Sequence, residues 1–75
     1  MSKRYSSREI LKALRRAGFH DVSQQGSHLK LRATRGNRTW TVIVKHPAAE
    51  VPAGTFKSIL RQAGLTLDEF EHLLA

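Results

Sequence analysis

The chain contains no cysteine. Disulfides, thiolate metal sites and a cysteine nucleophile are therefore excluded, and the chain fits a reducing compartment. It contains only two prolines, Pro47 and Pro52, both in the segment "KHPAAEVPAG", which reads as a loop. Apolar runs are short, so no stretch is long enough to span a membrane. Lys3 and Arg4 lead into a charged helical pattern rather than the apolar run of a signal peptide. No Gly-rich phosphate loop is present, and no His-x-x-x-His or mixed carboxylate spacing, so neither a metal nor a cofactor is expected. Repeats and low-complexity segments are also missing. Acidic residues are scarce, with six Asp and Glu against 13 Lys and Arg, a net charge of +7.

The 75 residues suffice for one small domain, expected over residues 1–75. Its charge is unevenly spread. Residues 1–45 hold eleven Lys and Arg against Glu9 and Asp21, a net of +9, whereas residues 46–75 carry a net of −2. A basic front half and a mildly acidic tail point to a polyanion partner on one face.

Local patterns give the elements. Ser6 and Glu9 have capping-box spacing, and Ile10, Leu11, Leu14 and Ala17 then share one helical face. This predicts a helix over Ser7–Ala17, closed by Gly18. Arg8, Lys12, Arg15 and Arg16 form its basic stripe. "FHDVSQQ" reads as a first strand anchored by Phe19 and Val22. "HLKLRA" alternates, with Leu29, Leu31 and Ala33 on one face and His28, Lys30 and Arg32 on the other. "RGNR" is a turn, and "TWTVIVK" is a third strand with Trp40, Val42 and Val44 on its core face and Thr41, Ile43 and Lys45 opposite. Trp40 is read as a buried indole. Thr55 is expected to cap a second helix, with Phe56, Ile59, Leu60 and Ala63 inside and Gly64 at its end. Thr66 and Glu69 repeat the capping box for a short third helix bearing Phe70, Leu73 and Leu74. The order is helix, three-stranded antiparallel meander, helix, short helix: an α+β fold of two layers.

The chemistry concentrates at "GSH". His28 heads a row in which Lys30 and Arg32 share its strand face, so phosphates bound by the row approach the imidazole. Histidine changes charge near neutral pH, which suits taking a proton from a ribose 2′-OH or giving one to a leaving oxygen. Lys30 could stabilise charge on a phosphorane-like state. Set against this is the plain reading of a polar residue at a strand start. His20 and His72 read as surface residues. His46 stands before a proline, and no spacing pairs it with His28. The same basic surface also suits a non-catalytic double-stranded RNA-binding module, or a subunit that binds an acidic protein.

Three segments carry a family likeness: "SSREILKALRRAGF", "QQGSHLKLR" with its Gly-Ser-His motif, and "VPAGTFKSILRQAGLTLDEF" with its Pro-x-Gly-Thr segment. In these the chain resembles the HicA-type (YcfA-like) mRNA interferase toxins of bacterial type II toxin–antitoxin systems. The resemblance implies a fold like a double-stranded-RNA-binding domain and cleavage of mRNA without a metal, by the motif histidine. That role maps onto His28, with Gly26 and Ser27 shaping the turn and Lys30, Arg32, Arg8 and Lys12 holding the RNA backbone. It implies a HicB-type antitoxin covering a surface that includes His28, and a toxin that is cytoplasmic and monomeric when alone. Many members place an aromatic two or three residues after the histidine; here those positions hold Lys30 and Leu31. The group that moves the second proton is left open between water, a lysine and a group of the substrate.

Overall fold

The structure is a computed structural model that describes residues 4–75; Lys3, read above as part of the basic N-terminus, lies outside them. Helix α1 spans Ser7–Arg16. Its start is fixed by sequence-local chemistry. The Glu9 N–H donates to Ser6 Oγ at 3.1 Å, and the Ser6 N–H donates to Glu9 Oε1 at 2.9 Å, so two backbone donors that a helix leaves free are satisfied. Ile10, Leu11, Ala13 and Leu14 are buried on its inner face. Ala17 is the C-cap rather than the last helical residue, and Gly18 follows with φ 98°.

Strands β1 (His20–Gln25), β2 (His28–Arg35) and β3 (Arg38–Lys45) form an antiparallel sheet in the order β1-β2-β3. The β2–β3 turn places Gly36 and Asn37 at φ 56° and 66°, the two positive values that a type I′ hairpin requires. Leu29, Leu31, Ala33, Val42 and Val44 are buried, as their alternation predicts. The expected anchor Val22 is not. It is 42 % exposed, because the register shifts between Asp21 and Ser23 and leaves Val22 unpaired in a bulge. All of β1 is exposed; the helix layer covers β2 and β3, so β1 has no apolar face to bury. Phe19, just before it, is the residue that reaches the core.

Helix α2 (Ala53–Ala63) begins three residues earlier than expected. Pro52, not Thr55, is its N-cap, and the first helical bond runs from the Phe56 N–H to the Pro52 carbonyl at 2.9 Å. Thr55 therefore sits inside the first turn. Gly64 ends the helix in the left-handed region, and a Cβ there would stand 2.7 Å from the Trp40 ring, so this position excludes side chains twice over. Trp40 is half-buried rather than buried. It packs at the margin of the core, with the Arg38 and Arg35 guanidinium carbons 4.2 and 5.3 Å from its centroid.

Helix α3 (Leu67–Leu74) has the second capping box, Thr66 with Glu69. It seats Phe70, fully buried, against Tyr5 and Phe56 with all three centroid separations between 4.9 and 5.1 Å. Each such aromatic pair adds about 0.5–1.5 kcal/mol beyond area burial. Tyr5 was not anticipated as a core residue; its hydroxyl donates to Glu71 Oε2 at 3.2 Å. The fold is thus the expected α+β arrangement, with the helices on one sheet face and the other face open. Among the described residues, no helix is long and apolar enough to cross a membrane.

Candidate functional site

The open sheet face is where the "GSH" stretch lies. Gly26 and Ser27 form a two-residue loop between the paired residues Gln25 and His28. Gly26 has φ 58°, while a Cβ added there would meet nothing within 4 Å. Its glycine answers a backbone requirement rather than a lack of space. His28 is the first residue of β2 and is exposed. Because Leu29, Leu31 and Ala33 face the helices, period-two alternation turns His28, Lys30 and Arg32 outward together. Lys30 and Arg32 are half-buried among their neighbours, and Arg32 Nε donates to Thr41 Oγ1 at 3.4 Å.

The register adds members that spacing alone did not supply. His28 pairs with Lys45, Lys30 with Ile43, and Arg32 with Thr41 on β3 and His20 on β1. Cross-strand partners share a face, so Lys45 and His20 join the outward set at opposite ends. Asp21 is the only acid in the three strands, and it does not join: it pairs with inward Leu31 and accepts from Arg15 of α1 at 2.9 Å. Among the described residues the outward strand positions therefore carry cations and no carboxylate.

His46 lies next to this group in the chain but turns the other way. Its N–H donates to the Ser27 carbonyl at 2.7 Å, extending the β2–β3 ladder by one pair. Its ring Nδ1 is 2.8 Å from Ser7 Oγ, which also accepts from the Ala48 N–H at 2.8 Å. The Ser7 N–H in turn donates to the Ala48 carbonyl at 2.9 Å. Ser7 is 1 % exposed while His46 and Ala48 are half-buried, so this is a partly buried clamp joining the start of α1, the chain leaving β3 and the "GSH" turn. The ring of His46 is thereby committed to structure. His72 is exposed on α3, with Nδ1 2.9 Å from the Asp68 carbonyl.

The basic stripe of α1 divides. Arg15 pairs with Asp21, and Arg16 donates to the carbonyls of Leu73 and Ala75 at 2.7 and 3.1 Å. Arg8 and Lys12 are exposed on the helix layer, across the sheet from His28. Arg8 follows Ser7 and so stands nearest the clamp; Lys12 is one turn further away, roughly 6 Å along the axis. The structure thus gathers His28, Lys30 and Arg32 on one face and leaves Arg8 and Lys12 off it. Two features were missed, Lys45 as the partner of His28 and the Ser7–His46 clamp. The alternation of "TWTVIVK" already placed Lys45 outward, but which residue it opposes follows only from register.

Among the described residues, no three of His, Cys, Asp and Glu cluster so as to hold a metal ion. What the site offers chemically is an accessible imidazole, His28, beside Lys45 and Lys30, with a second, His20, at the far end of the row. No curated protein matches the chain. A family model does: residues 7–65 match that of the HicA toxin of bacterial toxin–antitoxin systems.

Proposed function

The chain belongs to the HicA toxin family of bacterial toxin–antitoxin systems, and from that premise we propose that it is an endoribonuclease that cleaves mRNA by acid–base chemistry at His28. Membership implies a cognate antitoxin as partner. The observation that carries the catalytic reading is the outward row of His28, Lys30 and Arg32 on an uncovered sheet face with no carboxylate among its described strand positions. Such a face attracts a phosphodiester backbone, and the imidazole heads the row.

In this reading the neutral ring of His28 takes the proton of a ribose 2′-OH as that oxygen attacks the adjacent phosphorus. Lys30 and Arg32 hold non-bridging phosphate oxygens, where their charge is most useful as negative charge builds in the transition state. Arg8 and Lys12 engage flanking backbone around the edge of the domain. The toxin works as a monomer on cytoplasmic mRNA, and a HicB-type antitoxin silences it by covering the face that bears His28.

The test is incubation of purified protein with labelled single-stranded RNA in the presence of chelator. The parent is expected to cleave. His28→Ala is expected to lose cleavage by at least about 100-fold, the lower range for a general acid or base, and to lose growth arrest, with its circular dichroism and melting curve unchanged. Cleavage by His28→Ala at the parent rate would remove the catalytic role. Tight binding of duplex RNA by the parent without any product would instead favour the non-catalytic RNA-binding reading.

A further inference from the structure

We propose that Lys45 is the general acid that protonates the leaving 5′-oxygen, opposite His28 as base; this rests on the ribonuclease reading above. The argument begins with the ladder. The bond from the His46 N–H to the Ser27 carbonyl makes Ser27–His46 a hydrogen-bonded pair. Antiparallel pairs alternate, so the next pair, His28–Lys45, is non-hydrogen-bonded, the kind in which side chains approach most closely. Their Cβ atoms stand about 4.5–5.5 Å apart in such a pair. Lys30, two residues along the same strand, is about 6.6 Å away in backbone rise, and Arg32 twice that. Lys45 is therefore the cation placed nearest the imidazole, and it is exposed.

Other histidines do not compete for this role. The His46 ring is held inward by Ser7, and His20 lies opposite Arg32, at the far end of the row. The identity of the side chain assigns the direction of proton flow. A lysine ammonium has three donors and no acceptor, so it gives a proton where a neutral imidazole takes one. Lys45 also borders a recess of about 630 Å³ at the end of β3, but its lining of Val44, Glu50, Val51, Thr55 and Ile59 lies toward the helices; what places Lys45 for proton transfer is its pairing with His28 on the open face.

The step balances. The 2′-oxygen forms its bond to phosphorus while the bond from phosphorus to the 5′-oxygen breaks. The 2′-OH proton passes to His28, and the Lys45 ammonium gives its proton to the 5′-oxygen. The products are a 2′,3′-cyclic phosphate and a 5′-hydroxyl. Water then carries the proton from the imidazolium back to the lysine amine.

The experiment compares ordinary RNA with RNA in which sulfur replaces the 5′-bridging oxygen at the cleaved bond, a leaving group that needs no proton. Lys45→Ala is expected to slow cleavage of ordinary RNA by about 100-fold or more and to cleave the sulfur-linked RNA within a few-fold of the parent. His28→Ala is expected to be slow on both. Lys45→Arg keeps the charge but cannot give up a proton, and is expected to stay slow on ordinary RNA. Lys45→Ala cleaving ordinary RNA at the parent rate overturns the proposal. So does an equal loss on both substrates, or full rescue by Lys45→Arg, since either makes Lys45 a phosphate holder. In all three cases the ribonuclease reading stands. A parent that cleaves neither substrate overturns that reading and the role of Lys45 with it.

Discussion

At the scale of single residues, Ser7 is where packing and the site meet. Its hydroxyl accepts from the Ala48 N–H and bonds the ring of His46, whose own N–H holds the Ser27 carbonyl. Ser7→Ala removes the partner of two half-buried groups, the Ala48 N–H and the His46 ring nitrogen. The expected cost is about 1–3 kcal/mol in denaturant unfolding, together with slower RNA cleavage as the turn before His28 loosens. Unchanged stability in that measurement would show that the clamp is not what holds the turn. None of this was legible in sequence, because Ser7 and His46 lie far apart in the chain and neither fits a periodic pattern. His28 was legible for the opposite reason. Its neighbours Leu29 and Leu31 declare which face is inside, and the face of the histidine follows.

At the scale of elements, the helices with local signals were read best. Both capping boxes form as their spacing requires, because donor and acceptor are three residues apart and need no tertiary help. The start of α2 was misplaced because Pro52 offers no side-chain acceptor, and Thr55 resembles a cap that the helix does not use. Val22 was misjudged because a bulge takes it out of the pairing, and Trp40 because its burial depends on where the helix layer ends; no local pattern encodes either. The α3 box has a pH signature. Glu69 is held below the ordinary carboxylate value, first by the Thr66 N–H and then by the Thr66 hydroxyl. A depressed folded value means stability present above the unfolded carboxylate's range and lost as pH falls through the folded value. The expected outcome is a small melting-temperature gap between the parent and Glu69→Ala at neutral pH that closes in acid. A gap independent of pH would contradict a charge-based cap. The side chain is fully exposed, so the gap is screened by salt.

At the scale of the whole molecule, one side of the sheet is spent on burial and the other on charge. The alternation in β2 writes both at once, so fold and candidate surface were legible together there, whereas Lys45 needed the pairing of two strands. If Lys30, Arg32, Lys45, Arg8 and Lys12 each neutralise one phosphate, single-stranded RNA binding by the non-cleaving His28→Ala protein should fall with salt at a log–log slope of about −3.5. Replacing Lys30 and Arg32 by Ala should bring the slope to about −2. An unchanged slope would place the RNA elsewhere. The pleat carries a last consequence, for how the three letters of the motif are recognised. His28 faces outward because it stands an odd number of residues before Leu29, Leu31 and Ala33. One residue inserted between His28 and Leu29 would preserve the string "GSH" and the charge, yet turn the imidazole toward the helices. The motif is therefore a phase as much as a spelling, and a Gly-Ser-His string in another chain signifies this site only when the apolar beat that follows it is in step.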